Sequence, residues 1–171
     1  MEHAQGTQSA EQLCFDPDSL VLDDQICFAL YSSSNKLIRL FTEALRPFGV
    51  TFSQYLVLRV LWRISPVNIS DLASFLELGP NTVTPMVKRM QVLGFVSRSR
   101  HLTDERQVLV SVTEKTLNLR ADVLAVIGKL TRALDLPEDR SATTRDKLRL
   151  LGRRVMTVAE ERRIELERLD G

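Results

Sequence analysis

Residues 68–114 read NISDLASFLELGPNTVTPMVKRMQVLGFVSRSRHLTDERQVLVSVTE, and this stretch decides the fold. Over 69–76, Leu72, Ala73 and Leu76 recur at helical spacing and form an inner stripe, with Asn68 or Ser70 available as the cap. Gly79 and Pro80 make a turn. Over 81–92, Val83, Met86, Val87 and Met90 recur at the same spacing and should pack inward, leaving Asn81, Thr82, Thr84, Lys88 and Gln91 outside. Gly94 ends this helix. The segments 95–98 and 107–112 then read as two strands with a long charged tip between them. Two short helices, a tight turn and a hairpin make a helix-turn-helix followed by a β wing.

The flanking sequence is helical. Residues 1–19 read as a loose polar arm that ends in the turn-like Asp16, Pro17 and Asp18. A long helix is expected over about 22–45, with Asp23 and Asp24 suited to its start and Pro47 and Gly49 ending it. Thr51 opens a second helix, through about residue 63, and Gln54 three residues on completes a capping-box pattern. Its dense apolar residues Tyr55, Val57, Leu58, Val60, Leu61 and Trp62 imply burial on most sides. Ser65 and Pro66 stop it. Beyond the wing, Thr113 caps a helix to about 134, Leu136 and Pro137 break the chain, and a last helix covers about 142–169. Leu148, Leu151, Val155, Val158 and Ala159 form the apolar face of that last helix. The fold class is therefore mostly α: a winged helix-turn-helix over about 51–112 between long N- and C-terminal helices, all within one domain from 20 to 171.

Composition excludes several classes. Among 171 residues 44% are hydrophobic, enough for a globular core. No apolar run approaches the roughly 18–20 residues of a membrane span, and the polar start MEHAQGTQSAEQ has no signal-peptide core, so a cytoplasmic protein is expected. The formal charge of +1 says little, but its distribution says more. Over 80–107, Lys88, Arg89, Arg98, Arg100 and Arg106 stand against only Asp104 and Glu105. The two cysteines, Cys14 and Cys27, are too few for a disulfide framework, and with His3 and His101 they form no metal pattern. No cofactor and no metal are expected.

A major groove accepts one α-helix with short polar groups on its outer face. Asn81, Thr82 and Thr84 stand at the end of the 81–92 helix that is usually inserted, where Asn can pair with adenine and Thr can meet a thymine methyl. Pro85 lies in the same segment. Lys88 and Arg89 suit phosphates, which fix register without specifying sequence. At the wing, Arg100 adds positive charge, and Arg106 can enter a narrow minor groove with Asp104 orienting it.

At these residues the sequence resembles the MarR family of winged-helix regulators. LTDERQVLVSVTEK (102–115) looks like that family's wing and its exit into the next helix. ICFALYSSSN (26–35), FSQYLVLRVLW (52–62) and GPNTVTPMVKRM (79–90) are similar to the OhrR branch of thiol-based peroxide sensors. The resemblance spans about 24–120. It implies a homodimer whose terminal helices, about 20–47 and 113–170, interlock, and whose two winged helices address palindromic double-stranded DNA, usually as a repressor. It also implies that Cys27 is the reactive cysteine, oxidised by a hydroperoxide through its thiolate. Cys27 stands near the start of the first helix, whose dipole favours negative charge, while Asp23 and Asp24 oppose it.

The sequence departs from that branch at two positions. The branch surrounds its cysteine with two tyrosines from the partner subunit, and the matching residues here are Phe41 and Phe52. A phenyl ring donates no hydrogen bond to sulfur, so the thiolate is held less strongly or from elsewhere. Tyr31 and Tyr55 are the remaining tyrosines. Some relatives carry a resolving cysteine in a later helix. None follows Cys27 here, which leaves Cys14 as the only protein partner for a disulfide. An alternative switch keeps the regulator and uses Tyr31, Phe41, Phe52 and Tyr55 as an apolar pocket for a small aromatic or lipophilic effector. A thiol peroxidase would need a base or cation near the thiol, and no His or Arg lies within a turn of Cys27. A helical interaction module without DNA would leave the wing without a purpose. An enzyme is not expected.

Overall fold

The computed structural model describes residues 25–100, 107–134 and 138–169. Six helices and three strands are described. Helix α1, Ile26–Leu45, is followed by one 3₁₀ turn, Arg46–Phe48, and by Gly49 at a φ of 67°. That left-handed conformation suits glycine and turns the chain into α2, Phe52–Leu61. Thr51 and Gln54 form the expected capping box: the Gln54 N–H donates to Thr51 Oγ1 at 3.4 Å and the Thr51 N–H to Gln54 Oε1 at 2.9 Å. Tyr55, Val57, Leu58 and Leu61 are buried, whereas Leu56 is exposed, so α2 is covered on most of its circumference but not all.

A two-residue strand, β1 (Val67–Asn68), precedes α3, Ile69–Leu76. Asn68 is the cap of α3: its Oδ1 accepts from the Asp71 N–H at 2.8 Å. Helix α4 covers Pro80–Val92, one residue earlier than expected because Pro80 occupies its first turn, where a missing N–H costs nothing. Val83, Met86, Val87 and Met90 are all buried, the four residues that the periodicity aimed inward. Gly94 ends the turn at a φ of 75°.

Strands β2 (Val96–Arg100) and β3 (Val108–Val112) form the antiparallel wing, with Val96 opposite Val112 and Arg100 opposite Val108. The sheet has three strands in the order β1-β3-β2, because Val67 and Asn68 pair with Val110 and Leu109. That third strand fastens the start of α3 to the returning strand of the wing. The core lies beneath: Leu58, Leu61, Leu72, Val83, Val87, Met90, Val96 and Val110 from five elements have 2% or less of their surface exposed.

Thr113 stands before α5, Glu114–Ala133, but its hydroxyl is not a helix cap. It donates to the Gly94 carbonyl at 2.8 Å, and the Thr113 carbonyl accepts the N–H groups of Thr116 and Leu117. The chain divides into two compact units, Met1–Gly128 and Lys129–Gly171, with the boundary inside α5. Helix α6, Glu138–Leu169, belongs to the second. Its last third carries i,i+3 and i,i+4 ion pairs, among them Arg163 with Glu160 at 2.6 Å and with Glu167 at 3.4 Å. Of its expected apolar face, Leu148, Val155, Val158 and Ala159 are exposed and Leu151 is half-buried.

Candidate nucleic-acid interface and sensor region

The candidate recognition surface is built on α4. Its buried face fixes the helix, so its opposite face is presented by rigid backing rather than by a loop. Asn81 and Thr82 are exposed in the first turn, and Lys88 and Arg89 are exposed farther along. Pro85 has no N–H, so the Asn81 carbonyl lacks its i+4 donor at the end that would meet bases. Thr82 and Arg89 border a cleft of about 460 Å³ together with Thr51, Ser53, Gln54, Leu78 and Met86.

Thr84 is half-buried rather than fully outside. It lines a second cleft, about 350 Å³, with Asn68, Ser70, Asp71, Arg98 and Gln107 among its walls. Arg98 departs most from the sequence expectation. Strand alternation puts it on the same face as buried Val96, and it lies opposite buried Val110. Its guanidinium therefore turns towards α4 rather than outward: Nη1 donates to Gln91 Oε1 at 3.5 Å, and buried Nε has no partner. The strand period of two carried this signal: Arg98 adds to the positive charge of 80–107, but it stands two residues from Val96 and so shares its inward face. Arg100 is exposed at the end of β2. Asp104 and Arg106, expected at the wing tip, lie outside the described residues, as does Cys14.

The aromatic residues of the expected sensor pocket fall into two groups. Phe41 and Phe52 meet edge to face, with ring centroids 5.3 Å apart at 66°, and Phe52 and Tyr55 follow at 6.2 Å and 34°. Phe41 and Tyr55 are buried, and Phe52 is half-buried. Burial raises the Tyr55 phenol above its ordinary 10.0, and the Arg59 cation pulls it partly back. Tyr31 is not part of this cluster's ring contacts; it is 66% exposed on α1. Cys27 is a free, exposed thiol one helical turn before Tyr31, so the two share a face of α1. Among the described residues no group of His, Cys, Asp and Glu could hold a metal, and no helix is long and apolar enough to cross a membrane.

The pattern of the MarR family matches residues 50–108, from the start of α2 to the wing. The HTH-type transcriptional regulator MgrA of Staphylococcus aureus is 32% identical over 133 residues, covering 77% of this chain and 88% of that protein. The organic hydroperoxide resistance transcriptional regulator of Bacillus subtilis is 34% identical over 113 residues, 66% of this chain and 77% of its own length. Among solved structures, reduced AbfR of Staphylococcus epidermidis bound to DNA superposes with a TM-score of 0.69 at 31% identity, over 79% of this chain and 94% of that one. AbfR has also been solved overoxidised on DNA and with a disulfide formed.

Proposed function

The chain belongs to the MarR family of DNA-binding transcription regulators, and from that membership we propose that it is a homodimeric repressor whose switch is Cys27. Regulators of this family bind DNA and are not enzymes. Each protomer offers α4 to a major groove, with Asn81, Thr82 and Thr84 at the bases and Lys88, Arg89 and Arg100 at phosphates. Asp104 and Arg106 serve the minor groove. Two-fold symmetry of the pair then demands a palindromic operator. The apolar surface left exposed on α1 supports the pairing: Ile26, Leu37, Ile38 and Leu40 are each exposed in the single chain.

The observation that carries the switch is the exposed Cys27 thiol beside that surface, in a chain similar to the hydroperoxide regulator and to AbfR. The thiolate sulfur attacks the terminal oxygen of an organic hydroperoxide. The O–O bond breaks, the alkoxide leaves and takes up a proton as alcohol, and the sulfur, oxidised by two electrons, becomes a sulfenic acid. Condensation with a Cys14 thiol would form a disulfide and release water. A polar oxygen or a disulfide at a packed surface shifts the two DNA-reading lobes relative to each other and releases the operator.

A gel shift on the chain's own promoter region tests this. Cumene hydroperoxide should release wild-type protein and leave Cys27→Ser bound. An unchanged response in the variant overturns the thiol switch without touching DNA binding. A second reading rests on the Phe41, Phe52 and Tyr55 cluster, which offers an apolar, aromatic surface for a small lipophilic effector. A raised melting temperature with phenolic ligands, and no peroxide effect, would select it.

A further inference from the structure

We infer that Lys115, which is outside the expected DNA-contacting set, is a positioning residue for DNA reading: from the first turn of α5 it holds the carboxyl end of α4 in place. A helix leaves its last carbonyls without intrahelical donors, and their partial negative charge favours a cation. The Lys115 ammonium donates to the Leu93 carbonyl at 2.8 Å and lies 4.4 Å from the centroid of the Phe95 ring. The next two carbonyls are taken from the same side. Gly94 accepts from the Thr113 hydroxyl, and Phe95 accepts from the Thr116 hydroxyl. Three consecutive carbonyls leaving α4 thus each accept a side-chain donor from residues 113–116.

This clasp is itself anchored. Thr116 is fully buried, and its carbonyl accepts from Trp62 Nε1 at 3.2 Å, at the end of α2. Lys115, in contrast, is exposed, so replacing it removes the tie without emptying the core. Helix α4 has 13 residues and is roughly 20 Å long, so a tilt of about 3° at its carboxyl end moves Asn81 and Thr82 by roughly 1 Å. That displacement exceeds the tolerance of a base-edge hydrogen bond. Lys115 therefore acts through α4, on groups at the opposite end of the helix.

The inference rests on DNA binding by α4, and its test separates the two. The probes are a duplex enriched by the wild-type protein from a random-sequence pool, and a shuffled duplex of the same composition. In the full chain, Lys115→Met should weaken binding to the enriched duplex by roughly tenfold, the scale of one charge-assisted hydrogen bond. Binding to the shuffled duplex and the salt slope should stay unchanged, and the melting temperature should fall by no more than a few degrees, the stability cost of that one bond. Lys115→Arg, which can still donate to Leu93 and cover Phe95, should restore the enriched-duplex affinity. Equal weakening on both duplexes with a salt slope lower by about 0.9 would make Lys115 a direct phosphate ligand and overturn the inference. So would equal weakening that tracks a lower melting temperature, or no change on either duplex. Failure of the wild-type protein to enrich any duplex would overturn the DNA-reading surface itself.

Discussion

Helices α4 and α1 both carry apolar residues along their length, and they close that surface differently. Four apolar residues of α4 are buried by this chain alone, from Val83 to Met90. The 20-residue α1 buries only Phe41 and Leu45, near its carboxyl end, and leaves Ile26, Tyr31, Leu37, Ile38 and Leu40 exposed. The helix that would read DNA is thus backed by its own protomer. The end of α1 that carries Cys27 has no such backing among the described residues. A rigid reader and an open sensor are what the proposed switch requires, because the reader must keep its shape while the sensor must be able to change its surroundings.

Truncation gives the sharpest test of that contrast. Leu72→Ala, beneath α4 and fully buried, should cost about 2–5 kcal/mol in urea unfolding, independent of protein concentration. Leu37→Ala should cost no more than about 0.5 kcal/mol at high dilution and more at high concentration, where the proposed dimer would cover α1. Equal, concentration-independent losses would erase the distinction. On DNA, Asn81→Ala should lose about 1–3 kcal/mol of discrimination at one base pair, read from affinities across single-base variants of the site. Lys88→Ala should instead weaken all duplexes alike and lower the salt slope by about 0.9.

The remaining effects are smaller. A double-mutant cycle that replaces Phe41 and Phe52 by Leu should return a coupling of about 0.5–1.5 kcal/mol, because their rings meet edge to face. The smallest effect is alkaline. Tyr55 ionises above 10.0 in the folded chain because burial disfavours the phenolate. Its contribution is complete below the unfolded value and is lost as pH rises through the folded one, because the unfolded chain gives up that proton first. Tyr55→Phe should flatten the fall in stability above pH 10.0, measured by urea unfolding.

Local signals carried most of the fold. The Thr51 and Gln54 box, the Asn68 cap, the inward four of α4 and Gly94 all act within a few residues, so the sequence displays them. β1 escaped notice because two residues show no period and its partner, Val110, lies 43 positions away from Val67. Thr113 resembled a cap because the chain order places it before a helix; its true acceptor, Gly94, is brought to it only by the hairpin. Lys115 gave no sign for the same reason. The dense apolar run from Tyr55 to Trp62 already implied a buried Tyr55, whereas only packing shows that the Tyr31 ring is exposed. At the candidate site, helical periodicity named the α4 residues, and the strand period hinted at the inward face of Arg98, but only the fold shows that it meets Gln91.

The division of α4 into a buried face and a presented face also bears on how such a protein can change over generations. Asn81, Thr82, Lys88 and Arg89 are exposed, so selection can rewrite a target site there at little cost to folding. Thr84 is the exception. It shares a cleft with Arg98, whose Nε is buried without a partner, so a new residue at 84 must also suit a guanidinium on the wing. Descendants that alter this position should therefore change in pairs, and those that alter the exposed Asn81 should change alone.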